Sequence, residues 1–193
     1  MIRKEYGIHT FSLKLRCKYS KIQNIVEQNE CVCTGKGKLG LSPYYQIVRY
    51  KSIGVEIHLS QSISRPCWIT LIVNPSSLLA DTYEPTALFR ADEESVQQVK
   101  HRLRNILDEI GVDRRLKEFK LSRCDLTCNL YYERKADVQN RIDIFKKSFP
   151  IPHYSAVKFG KYTNSDEKFK GANKHSWTIE NKSKSCAFSV YDK

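Results

Sequence analysis

Strict alternation of apolar and polar residues constrains this chain more than any other feature. In His9-Thr-Phe-Ser-Leu-Lys-Leu-Arg-Cys17, the residues Phe11, Leu13, Leu15 and Cys17 fall on one side of an extended backbone. Val55-Glu-Ile-His-Leu59 repeats the pattern, with Val55, Ile57 and Leu59 opposed to Glu56 and His58. A period of two is the mark of a strand with one covered face. Further strands are expected at Tyr45–Tyr50, Cys67–Val73, Phe119–Tyr132, His153–Tyr162, Ser176–Asn181 and Ser185–Tyr191, separated by Gly, Ser and Pro turns.

Two segments break this period. Asp92 precedes a run from Glu93 to Ile110 in which Val96, Val99, Leu103, Ile106, Leu107 and Ile110 follow helical spacing and Gly111 supplies the stop. A second helix is expected from Lys135 to Ser148, ended by Pro150. A weaker helical spacing runs from Ser20 to Glu30, a short helical turn opens at Asn74-Pro, and Thr34–Pro43 reads as a glycine loop. The expected fold is α+β, a mostly antiparallel sheet with helices packed on one face, in a single domain over residues 1–193.

Composition removes several classes of protein. The longest near-apolar run, Cys67–Val73, has 7 residues, against the ~20 needed for a membrane-spanning helix. The first nine residues hold no apolar stretch suited to a secretory signal. Seven cysteines, an odd number, are then expected as free thiols in a reducing cytoplasm. Cys31 and Cys33 have no second ligand pair at zinc spacing, and the Gly35–Lys38 stretch lacks the Walker ending.

The net charge is +12, and it is regional. Residues 1–96 carry 12 basic and 9 acidic side chains, whereas residues 97–193 carry 21 and 12. Lysines between Lys158 and Lys184 are interleaved with Tyr162, Phe169 and Trp177. Lysines neutralise phosphates while rings stack on unpaired bases, so a polyanionic partner is expected. Lys158, Lys161, Lys174, Trp177 and Lys193 are the candidate contacts in this half.

The segment from Phe119 to Tyr132 carries the candidate site. Its even positions, Cys124, Leu126, Cys128 and Leu130, form an apolar set expected beneath the helices. Its odd positions, Arg123, Asp125, Thr127, Asn129 and Tyr131, form a polar face. Arg123 and Asp125 are close enough to pair there. Should the neighbouring strands bring Glu56, His58 and Glu180 onto the same face, these three and Asp125 would make a set that only a hard divalent cation holds together.

Leu121-Ser-Arg-Cys-Asp-Leu-Thr-Cys-Asn129 resembles the Arg-x-Asp strand of rolling-circle replication initiators of phages and plasmids, filamentous-phage gene II-like proteins in particular. The ending Ser183-Lys-Ser-Cys-Ala-Phe-Ser-Val-Tyr-Asp-Lys193 resembles the strand of those proteins that closes in Tyr-Asp-Lys. The resemblance spans roughly residues 55–193 and implies a Rep-like domain that binds DNA, single-stranded or hairpin. It also implies nicking of one strand, in which Mg²⁺ or Mn²⁺ polarises the scissile phosphate and a tyrosine forms a 5′-phosphotyrosine.

By that resemblance Asp125 is a metal ligand and Tyr191 the candidate nucleophile; Glu56, His58 and Glu180 are assigned to the metal by face alone. No His-x-His occurs in the chain. In the family the nucleophilic tyrosine usually follows the Tyr-Asp-Lys strand, on a helix. Three possibilities follow: truncation before that helix, use of a tyrosine within 1–193, or DNA binding without cutting. Two other functions fit the same residues, a non-catalytic single-strand-binding protein and a mobile-element protein with an acidic protein partner.

Overall fold

The computed structural model describes residues 3–36, 42–63, 65–82, 87–147, 154–158, 176–181 and 187–191. Its strands are β1 (Arg3–Cys17), β2 (Cys31–Lys36), β3 (Pro43–Ile47), β4 (Val55–Ser60), β5 (Cys67–Val73), β6 (Lys120–Tyr131), β7 (Tyr154–Lys158), β8 (Ser176–Asn181) and β9 (Ala187–Tyr191). Its helices are α1 (Tyr19–Gln28), α2 (Pro75–Ala80), α3 (Glu93–Glu109) and α4 (Lys135–Lys147). The α+β expectation holds: a mostly antiparallel sheet of six strands carries helices. No described helix is long and apolar enough to cross a membrane.

The chain divides into two compact units, Glu5–Asn129 and a second that joins Met1–Lys4 to Leu130–Lys193. In the first, the sheet order is β2-β3-β4-β5-β1-β6. Adjacent strands are antiparallel with alternation in phase: Val55, Ile57 and Leu59 of β4 sit beside Val73, Leu71 and Ile69 of β5, which face Phe11, Leu13 and Leu15 of β1. Val55, Ile57, Leu59, Ile69, Leu71 and Val73 are all at 0% exposure.

The helices cover this face. Ile22 and Ile25 of α1, Leu78 of α2, and Val99, Leu103, Ile106 and Leu107 of α3 join one core with the strands. The expected cap at Asp92 is present, and Asn74 supplies a second. The Asp92 carboxylate accepts the Ser95 amide at 2.9 Å to open α3, and the Asn74 side-chain oxygen accepts the Ser77 amide at 3.0 Å to open α2. Gly54 turns the chain into β4 at φ +80. A Cβ there would meet the Ser77 Cβ at 2.5 Å, so only glycine fits without displacement.

Two local expectations are corrected. The supposed glycine loop begins as a strand, because Cys31–Lys36 pairs with β3 through a register shift between Cys33 and Gly35. Cys124, Leu126, Cys128 and Leu130 are exposed, Leu126 at 81%, and do not lie beneath helices. The reason is lateral position: β6 is the last strand of its sheet, and the buried cluster draws its strand residues from β1, β3, β4 and β5.

In the second unit β7, β8 and β9 form an antiparallel sheet with β8 in the middle. Glu180 is in register with Ser155 and Ala187, Trp177 with Val190, and Ser176 with Tyr191.

Candidate nucleic-acid interface

The face of the six-stranded sheet opposite the core is built in transverse rows. Strand register aligns Tyr44, Ser60, Trp68 and Arg16 across β3, β4, β5 and β1. The next row is Gln46, His58, Thr70 and Lys14, and the third continues with Glu56, Ile72 and Ser12. Tyr44 is 48% exposed, Arg16 and Lys14 are exposed, and Trp68 is half-buried. The surface therefore offers two aromatic rings about 10 Å apart, two strand spacings, with cations along one side.

β6 extends this face. The Thr10 hydroxyl donates to the Asp125 Oδ2 at 2.5 Å, and the Ser122 hydroxyl donates to the Ser12 carbonyl at 3.2 Å. Asp125 therefore stands beside Thr10, and Ser122 beside Ser12, on strands that are neighbours in the sheet. Arg123 Nε donates to Asp125 Oδ1 at 2.7 Å. The expected Arg123–Asp125 pair is present, and both carboxylate oxygens of Asp125 are engaged.

Glu56 and His58 share the open face with Asp125 and pair with each other, Oε2 to Nε2 at 3.2 Å. Lateral order separates them from Asp125, because β5 and β1 lie between β4 and β6. Three strand spacings amount to about 14 Å, whereas ligands of one hard cation lie about 2–2.6 Å from it. Those three side chains do not converge on one ion. Among the described residues no group of three or more His, Cys, Asp or Glu side chains could hold a metal.

The other candidates are distributed as follows. Asn129 is half-buried on β6, and Tyr131 is 41% exposed with the Arg3 guanidinium 5.1 Å from its ring centre. Lys158, Trp177, Glu180 and Tyr191 fall on β7, β8 and β9 of the second unit. Lys161, Lys174 and Lys193 lie outside the described residues.

Trp68, Tyr44, Lys14 and Arg16 were not legible as site residues. Cys67–Val73 is apolar at every position but Thr70, so residue type alone buries Trp68 with its neighbours. Only its register with Ser60 and Arg16 turns it to the open face.

The described cysteines are free thiols, as expected. Burial pushes the Cys17 thiol up to about 11, which Arg114 only partly opposes, and burial likewise raises Cys31. Both stay protonated at neutral pH and make poor nucleophiles. The Tyr50 phenol, also raised by burial, donates to Glu109 at 2.6 Å and ties the connection between β3 and β4 to α3.

No family model, no curated protein and no solved structure matches this chain.

Proposed function

We propose that this chain binds single-stranded DNA across the open face of its six-stranded sheet, as the DNA-binding part of a phage or plasmid replication initiation protein acting in the cytoplasm. One observation carries the proposal: the row Tyr44, Ser60, Trp68, Arg16, with Lys14 in the next row. Rings on an accessible sheet accept the π-faces of any unpaired base, and adjacent cations attract the phosphates that link them. Duplex DNA hides its base faces, so the same surface discriminates against it. The initiator assignment is supported by the resemblance of β6 and of the Tyr-Asp-Lys ending.

Strand nicking by Tyr191 with Mg²⁺ or Mn²⁺ is the narrower form of this proposal. The donors Asp125, Glu56 and His58 do not fit a single ion, because two strands lie between β4 and β6.

Fluorescence anisotropy with a labelled 20-nucleotide single strand and its duplex, across a salt series, tests the proposal. Preferential single-strand binding that weakens with salt is expected. Equal affinity for both, or no binding at low salt, refutes it. Hairpin DNA with Mn²⁺ in a denaturing gel tests the narrower form, for which a covalent adduct is the required product.

A further inference from the structure

A groove of about 700 Å³ lies where β1 passes into α1 and faces the segment between α3 and β6. Five basic residues, Arg16, Lys18, Lys21, Arg114 and Arg115, line it against two acidic ones, Asp113 and Glu118. The acids are already committed. Asp113 accepts from Lys21 at 3.2 Å, and Glu118 accepts from Arg114 at 2.8 Å and from the Arg115 amide at 3.1 Å. These contacts hold both carboxyls below their ordinary range, led by the Lys21 bond for Asp113 and the Arg115 amide for Glu118.

Among the described residues no carboxylate pairs with Arg16, Lys18 or Arg115, whose side chains are exposed. Two further features keep the groove positive. α1 opens there with no acid in its first turn and no side-chain cap, which leaves the positive end of its dipole uncompensated. Cys17, also in the lining, is an uncharged thiol at neutral pH.

Arg16 belongs both to this groove and to the row that contains Trp68. We propose that the groove binds the phosphodiester backbone of the single strand as it leaves the open sheet face past Arg16, with Lys18 and Arg115 as its phosphate contacts. This inference rests on the single-strand reading and extends it to a second, sequence-independent surface. An extended polyanion fits better than a small phosphate, because the cations are spread over two separate segments, Arg16–Lys21 and Arg114–Arg115, and Arg16 stands at the sheet end between the Trp68 face and the side of Cys17 and Ile69 where the groove lies.

The test is the slope of log affinity against log salt for the same single strand. Each phosphate contact on a single strand contributes about 0.7 to that slope. The double variant Lys18→Gln/Arg115→Gln should lower it by about 1.4 and weaken binding on the order of 10-fold at 150 mM salt. Lys100→Gln/Arg104→Gln, which removes two exposed cations from α3, should leave the slope unchanged. An unchanged slope in the Lys18/Arg115 variant, or an equal fall in the α3 variant, overturns the groove.

Inorganic phosphate at 1 mM should not compete with the strand; full competition would assign the groove to small anions and overturn the proposal. Trp68→Ala separates the two readings. If it weakens binding while the groove variant does not, the open face stands and the groove falls. If the groove variant alone acts, the open face falls, and the path from face to groove falls with it.

Discussion

Replacing Trp68 by alanine is the most direct challenge to the open-face reading. Trp68 stands in register between Ser60 and Arg16, half-buried, with its ring on the side of β5 opposite Cys67 and Ile69. Loss of one base–aromatic stack costs about 1–3 kcal/mol, which corresponds to about a 5- to 140-fold rise in Kd. Stability should fall less than the about 3–5 kcal/mol typical of a fully buried ring, because one face of Trp68 is already wet. Trp68→Phe should keep most of the affinity, since it retains an aromatic face on an unchanged strand. Trp68 and Trp177 are the only tryptophans, so a Trp177→Phe background isolates the Trp68 signal. Titration of that variant with a single strand should quench its fluorescence in step with the anisotropy change. An alanine variant within twofold of wild type, folded by circular dichroism, refutes the stacking role. So does Trp68 fluorescence that saturating DNA leaves unaltered.

Two further predictions concern the frame that holds this face. Gly54→Ala should destabilise the fold by about 2–4 kcal/mol, read as a lower denaturant midpoint, since it combines left-handed strain with overlap on Ser77. Cys17 couples stability to alkaline pH. Its thiol ionises near 9 in the unfolded chain and near 11 in the folded one, so above pH 9 the unfolded state holds fewer protons. The stabilisation is full below pH 9 and is lost as pH rises towards 11. Urea midpoints of wild type and Cys17→Ala should therefore draw together over that window, and a constant difference would show that burial does not perturb the thiol.

Much of the fold was legible because its central strands obey one simple rule. β4 and β5 match their expected spans to within a residue, and α3 begins at the acid that caps it. Their signals are local: a period of two, a period of 3.6, and a carboxylate placed to accept the first free amides. The first half of β1 was not foreseen, because Arg3–Ile8 has no clean alternation and is held by long-range contacts such as the Ile8–Phe89 bridge. β2 was hidden by Gly35, which sits where its pairing with β3 slips by one residue.

The site shows where local rules stop. Alternation set Glu56 and His58 together on one side of β4, and it correctly paired Asp125 with Arg123. It carries no information on strand order, and strand order decides whether residues on one face can share a ligand. The sequence β4-β5-β1-β6 puts two strands between the Glu56–His58 pair and Asp125. The same order brings Trp68 and Arg16 together from β5 and β1, residues 52 apart in the chain. Edge position works the same way on the other face of β6, where an apolar pattern that reads as core is exposed. A sheet face is therefore a two-dimensional array of which the sequence displays only the columns. A metal centre needs three or four donors to coincide in both dimensions, whereas a stacking surface needs only rings and cations anywhere along a row. That difference is why the single-strand reading draws support from the register of this sheet and the shared-ion reading does not.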